Sequence, residues 1–497
     1  MSTMSNKTVI IIGAGLGGLS AAIRLAHAGF RVRVLEQQAT VGGKLQRITE
    51  KGYRFDRGPS TITLPHLFEN VFTAADRHME DYVKLERLQQ ATRNVFPGGE
   101  TVDLTDSIET TATQIACYSK EDAAAYPAFC KEAARLYRLA DERFLGKLML
   151  GLKDKLDPRL AAGFLQVKPL TTLHTLLRRY FRHPNTLSML GRYATYVGAS
   201  PYASPAIFAM LAHVESELGI YRVQGGTYAI AEAFAKLAEE LGVTIETNAS
   251  VQKIIVKNGA ARGVETDQGY YEADIVLANG DALSIYSRLI APEHRPSLPN
   301  KKIDRYEPSL SGFVQLVGIR RTYEQLLHHT VYYPECYKDE FKSIFTARKP
   351  PEDPTIYICN NSASDREAAP AGASSLFVLV NAPYVSNAWS WEHETEKYAM
   401  LVRSHLADHG ILGLEQAEVT LTYTPEQLER DTSAYRGAIY GISSNGARQT
   451  FFRPGNCAKD IKGLWFTGGT THPGGGTPIV TLCGQLVAEE LIKQYKI

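Results

Sequence analysis

The apolar positions of this chain keep two different rhythms. Thr8 to Ile12 is an unbroken β-branched run ending at Gly13, as expected of a strand buried on both faces of a parallel sheet. Leu19, Ala22, Ile23 and Ala26 then recur at helical spacing, Gly29 stops them, and Arg31 to Leu35 reads as the next strand. Short runs return at Val243 to Glu246, Asp274 to Asn279 and Gly463 to Thr467. The last leads into Ile479, Leu482, Cys483, Leu486 and Val487, the apolar stripe of a final helix. From about 107 to 218 the pattern is mostly helical, interrupted by Pro158, Pro169, Pro184, Pro201 and Pro205. From about 300 to 450 it is β-rich, with runs at Ser311 to Ile319, Thr355 to Cys359 and Ser375 to Val380 that predict one wall of a chamber.

These elements predict an α/β protein. A Rossmann-like, doubly wound parallel sheet is assembled from residues 1–90, 220–290 and 455–497, and a substrate region of helices and mixed sheet from residues 91–219 and 291–454. At 497 residues the chain exceeds the roughly 250–300 at which single cores stop growing, which agrees with two domains.

The chemistry gathers at the glycine turns. Gly13, Ala14, Gly15, Leu16, Gly17 and Gly18 fit G-x-G-x-x-G directly after a strand. Gly13 permits the turn, Gly15 lets backbone approach a pyrophosphate, and Gly18 lets helix and strand pack closely. The helix N-terminus then faces the phosphates. Glu36 ends the second strand at about the 20-residue interval from which a carboxylate reaches ribose hydroxyls, and it favours an unphosphorylated adenosine ribose. Far down the chain, Gly469 belongs to a run so rich in glycine that backbone can approach a flat ligand; Thr477 reads as an N-cap, Pro478 as the first helical residue, and Ile479 follows. His472 in that loop can touch a substrate or, in the commoner role, hydrogen-bond near the helix start. His328 and His329 precede Val331, Tyr332 and Tyr333, which read as channel lining or as a half-buried strand.

Charge and composition narrow the partners. With 54 basic and 53 acidic side chains there is no global field, and no nucleic-acid partner is expected. The six cysteines lie far apart without a CxxC or Cys/His cluster, which argues against a metal site or disulfide scaffold and fits a reducing, cytoplasmic setting. No apolar stretch reaches the roughly 20 residues that span a bilayer. The stretch from Phe144 to Leu177 interleaves leucines with Lys147, Lys153, Lys155, Arg159 and Lys168. It suits peripheral contact with the inner face of the cell membrane and, equally, a pair of core helices with solvated lysines.

Val41-Gly42-Gly43-Lys44, followed by Phe55-Asp56-Arg57-Gly58-Pro59, resembles the FAD-binding entry of the amine oxidase and carotenoid desaturase superfamily. The resemblance implies that FAD is the cofactor, that Gly43, Lys44 and Pro59 lie along it, and that Val251 lies by its adenine. The helix beginning at Thr477 would then point its positive end at the reducible edge of the isoalloxazine. Lys44 stands where arginine is usual, so a bidentate contact to the pyrophosphate is lost while charge is kept. Over the full length, Val223 to Thr227, His328-His329, Asp353 to Tyr357, Arg436 to Gly441 and His472 to Pro478 occur in an order similar to that of the bacterial carotenoid desaturases and oxygenases. The branch nearest in pattern is the one acting on acyclic thirty-carbon carotenoids at a terminal methyl group. That resemblance implies a long apolar polyene as substrate and catalysis by placement, without an obligatory acid–base pair. A carotenoid desaturase, an amine oxidase and a non-enzymatic prenyl-binding escort protein share the framework and remain alternatives at this stage.

Overall fold

The computed structural model describes residues 7–148, 150, 166–167 and 170–495. Five parallel strands form one sheet in the order Leu464–Thr467, Ile275–Asn279, Thr8–Ile12, Arg31–Leu35, Thr244–Glu246. Every strand predicted around the glycine turns is therefore present, and segments far apart in sequence lie side by side. The central strand, Thr8–Ile12, buries Val9, Ile10 and Ile11 almost completely, which is why its run carries no polar alternation.

The helices Leu16–His27 and Thr477–Tyr495 cross on one face of this sheet. They meet backbone to backbone: a methyl group added at Gly484 would lie 2.0 Å from the Gly17 carbonyl oxygen. Ser20 Oγ bonds the Thr481 carbonyl at 3.0 Å, and Gln485 Nε2 donates to the Leu67 carbonyl at 2.9 Å. The beginning and the final helix of the described chain are thus one packing unit. Leu482 and Leu486 of the predicted stripe are only partly buried, whereas Cys483, Val487, Ala488 and Leu491 form the buried seam.

A second, seven-stranded mixed sheet runs Val419–Tyr423, Ser311–Ile319, Ser374–Ala382, Ile356–Asn360, His329–Tyr332, Gln90–Val95, Thr101–Thr105. Its pairs are antiparallel except His329–Tyr332 with Gln90–Val95. The helix Trp391–Asp408 covers one face, where Trp391 stacks on Phe313 at 5.2 Å. The other face borders a cavity. The helix Lys120–Ala140 reaches the cavity with Tyr137 and Ala140, and Ser119 caps it by accepting from the Asp122 N–H at 3.2 Å. His329–Tyr332 is buried at all four positions, not half-buried, because it is an interior strand with a paired neighbour on each side.

Most of the leucine- and lysine-rich stretch within 144–177 lies outside the described residues. Among those described, no helix is long and apolar enough to cross a membrane.

Candidate active site

One continuous cavity of about 600 Å³ runs from the glycine turns to the mixed sheet. That is the size of a cofactor and ligand site rather than a packing defect. Gly13, Gly15, Leu16, Gly17, Glu36, Gly43, Lys44, Pro59, Val251, Gly469, Thr477, Pro478 and Ile479 all line it, as does His472. Of the positions singled out from sequence, Ala14 and Gly18 do not, and of the run read as channel lining only Val331 does, with His328, His329, Tyr332 and Tyr333 set back from it. Ala14 turns its N–H to the Glu36 carboxylate at 2.7 Å. Gly18 serves packing: a methyl there would sit 2.4 Å from the Gly13 carbonyl oxygen.

The geometry explains each glycine that matters. Gly13 has φ +94°, and a methyl on it would meet the Asn279 carbonyl at 2.3 Å. Asn279 Nδ2 in turn donates to the Gly13 carbonyl at 2.9 Å, fixing the turn from the neighbouring strand. The second glycine turn docks on the first, with the Gly42 N–H bonded to the Ala14 carbonyl at 2.8 Å and Gly15 bridged to Gly42. Glu36 also accepts from the Gln38 N–H at 2.9 Å, and its main chain bonds Ala249, which carries Val251 to the same edge. Burial pushes its carboxyl above the usual range, opposed by the N–H groups of Gln38 and Ala14.

Two cations, half-buried Lys44 and buried Arg453, face this cradle. Among the described residues, Lys44 Nζ donates to the carbonyls of Ala438, at 3.0 Å, and Ile439, at 2.5 Å. Arg453 donates to the Gly469 carbonyl at 3.0 Å and to Ser444 Oγ at 2.9 Å. Burial drives Lys44 down to about 8 and Arg453 down to about 10, with Asp281 pulling each the other way. Such cations, desolvated and bonded to neutral oxygens, call for an anion. A pyrophosphate laid along glycines with no side chain in its path meets that need, so the residues fit FAD.

At the other end, the helix begins one residue earlier than predicted. The Gly476 carbonyl, at a residue with φ +111°, accepts the first helical bond from Val480 at 2.9 Å, so Thr477 is the first helical residue and not the cap. Tyr440 packs on the glycine loop, 3.0 Å from where a methyl on Gly475 would stand. His472 Nε2 bonds the Phe144 carbonyl at 2.9 Å, tying the loop to the helical side.

Beyond the cradle the cavity becomes a chamber walled by Leu64, Phe144, Ile207, Phe208, Val331, Phe377, Leu379 and Phe451. Polar groups interrupt this wall at few places. Arg192 and Glu215 form a buried pair at 3.4 Å, with Tyr196 Oη accepting from Arg192 at 2.7 Å. Ser60 and Tyr357 meet at 2.7 Å, and Tyr357 Oη meets His329 Nδ1 at 2.7 Å. The sequence showed no Cys/His cluster, yet strand pairing sets His329 opposite Cys359, and His328, His329 and Cys359 bring their side-chain atoms within 4.8 Å of one another. Asn279, Arg453, Arg192 and Tyr357 were not foreseen; each sits in a run that reads as ordinary core or loop.

A dinucleotide cradle joined to an apolar reaction chamber defines a flavin-dependent oxidoreductase. The chain belongs to the flavin-containing amine oxidoreductase family, whose pattern matches residues 16–492, and it is an enzyme with FAD as its cofactor. It is 34% identical over 494 residues to 4,4'-diaponeurosporene oxygenase of Staphylococcus haemolyticus, covering 98% of this chain and 97% of the relative. It is likewise 34% identical to 4,4'-diapolycopene oxygenase of a Methylomonas species, covering 99% of each. Solved structures with the same fold include a putrescine oxidase variant at TM-score 0.67, with 16% identity over 98% of this chain and 99% of that one. An oxidoreductase from Methanosarcina mazei gives TM-score 0.64, with 17% identity over 97% of this chain and 100% of that one.

Proposed function

We propose that this flavoenzyme is a carotenoid oxygenase that oxidises a terminal methyl group of an acyclic thirty-carbon carotenoid, diaponeurosporene or diapolycopene, to an aldehyde. The observation that carries the reading is the continuity of the cavity: the apolar chamber and the cofactor cradle are parts of one space. The full-length likeness to two oxygenases of this substrate class supports it.

When bound, FAD supplies an acceptor for a hydrogen and its electron pair. The chain's own residues do the rest. Gly13, Gly15, Gly17 and Gly43 admit the pyrophosphate, Lys44 and Arg453 neutralise it, and Glu36 holds the adenosine ribose. Val251 packs by the adenine. Gly469 and the helix start at Thr477, Pro478 and Ile479, which line the same cavity, would face the ring. Leu379, Phe377 and Val331 on one side and Phe208 and Phe451 on the other hold the polyene and exclude water, so placement supplies most of the rate. In this reading residues 1–90, 220–290 and 455–497 form the flavin domain and the remainder the substrate region. A substrate this apolar resides in lipid; the described ends of the segment 144–177, Phe144, Leu173, Leu176 and Leu177, are core, and peripheral contact through the lysine-rich part between them is what co-sedimentation with anionic vesicles tests.

Expression in cells that make diaponeurosporene, followed by mass spectrometry of the pigment, decides the activity. A terminal aldehyde is the expected product. A longer chromophore without added oxygen would replace this reading with a desaturase.

A further inference from the structure

A methyl group becomes an aldehyde through a terminal alcohol, and the second stage sheds a proton from oxygen into a chamber whose wall is almost wholly apolar. We infer that Ser60, Tyr357 and His329 form the site that holds this oxygen and takes its proton. The inference rests on the oxygenase reading and deepens it.

Three observations point there. Ser60 directly follows Pro59 of the flavin-lining segment, and both Ser60 and Tyr357 face the cavity. Ser60 Oγ, Tyr357 Oη and His329 Nδ1 form an unbroken chain with both links at 2.7 Å, leading away from the cavity into the mixed sheet. His329 is buried, and its Nε2 has no hydrogen-bond partner among the described residues. A buried ring nitrogen without a partner is costly in a merely structural histidine. It stands instead beside the ring of His328, 4.5 Å away and edge-on, whose Nδ1 meets Ser364 Oγ at 2.6 Å. His328 and Ser364 line a small polar side pocket with Asp56, Arg222 and Asp365, and Ser60 borders that pocket as well as the chamber. The polar chain therefore connects the chamber to a place where charge is tolerated.

In the step assigned to it, the alcohol's O–H breaks as Tyr357 Oη accepts that proton and passes its own to His329 Nδ1. With FAD bound as acceptor, the C–H on the same carbon would break, giving up its hydrogen and electron pair to that cofactor as the C=O π bond forms. Tyr357 is the catalytic residue and His329 the positioning residue behind it. Burial and the neighbouring His328 and Arg192 disfavour the charged imidazolium, so His329 is neutral at rest, with Nδ1 against the Tyr357 hydroxyl, and gives up readily any proton it takes.

The test uses purified holoprotein and two polyenes, the terminal alcohol and the terminal aldehyde of the substrate. Wild type is expected to bind the aldehyde with a red shift in its absorption, from the phenol donating to the carbonyl, and Tyr357→Phe is expected to lose the shift. Oxidation of the alcohol should slow by about a hundredfold in Tyr357→Phe and in His329→Gln, the scale of general-base catalysis. His329→Gln, which leaves the phenol in place, should keep the red shift and lose the solvent isotope effect on alcohol oxidation. If Tyr357→Phe fails to retain flavin, His329→Gln alone decides. Wild-type rates in the variants, or one equivalent of metal retained among His328, His329 and Cys359, would overturn the relay while leaving the oxygenase reading intact. Wild type that makes no oxygenated product from diaponeurosporene would remove both.

Discussion

The parallel sheet and the mixed sheet bury ligand-facing surface by opposite means. Around the glycine turns, backbone is packed on backbone: methyl groups at Gly13, Gly18 and Gly484 would lie 2.0–2.4 Å from carbonyl oxygens, which cannot move aside. On the mixed sheet the contacts are made by side-chain ends. A methyl at Gly312 would meet Leu379 Cδ1 at 2.7 Å and Ile439 Cδ1 at 3.0 Å, atoms that can turn to another rotamer. Main chain cannot move aside for an added atom, whereas side-chain ends can repack around one.

The same added methyl therefore probes both regions. Gly18→Ala is expected to have the largest effect, loss of FAD together with at least about 3 kcal/mol of stability, the upper end of overpacking costs. Flavin absorbance of the purified protein and thermal unfolding check it, and full flavin occupancy would break the contrast. Lys44→Met comes next, weakening FAD by about 10- to 100-fold, the range for hydrogen bonds to charged groups. In FAD-free protein the same change should have a pH signature. Lys44 falls to about 8 from 10.5, so between those values the unfolded chain binds more protons and wild-type stability rises with pH. The variant lacks that rise in parallel denaturant titrations.

The mixed sheet offers a titration of opposite sign. Glu340 is buried and accepts from Thr355 and from Asn381 Nδ2 at 2.8 Å, and burial raises it from 4.5 to about 7. The folded chain then holds the extra proton, so its contribution is full below 4.5 and lost as pH rises to about 7. Glu340→Gln should flatten that fall, of the order of 3 kcal/mol, in urea melts across this window. Gly312→Ala should do least, about 1 kcal/mol with flavin retained, and should be read in substrate turnover more than in stability.

This contrast also explains what was legible in the sequence. Gly13 to Gly18, Glu36 and the Gly469 to Ile479 turn announce themselves because backbone contact demands particular residues at particular spacings. The parallel strands were legible too, as unbroken apolar runs. The chamber was not. Tyr357 alternates with Ile356 and Ile358 in a strand that any buried sheet could contain, and its meeting with Ser60 depends on how two distant segments dock. Asn279 ends a strand like many asparagines, and its grip on Gly13 appears only once the strands are paired. The cap at Thr477 was misjudged by one residue because a glycine in a left-handed conformation supplied the carbonyl instead of a threonine supplying its hydroxyl.

The pairing of Ile275–Asn279 with Leu464–Thr467 has a consequence for biosynthesis. On the ribosome the first four strands of the parallel sheet emerge long before their fifth neighbour, and the glycine turn at 468–476 follows that neighbour. A nascent chain can thus fold most of its nucleotide cradle while still unable to close on the coenzyme. Until Leu464–Thr467 is made, the half-built sheet carries an open edge at Ile275–Asn279, the kind of exposed strand that invites pairing with another chain.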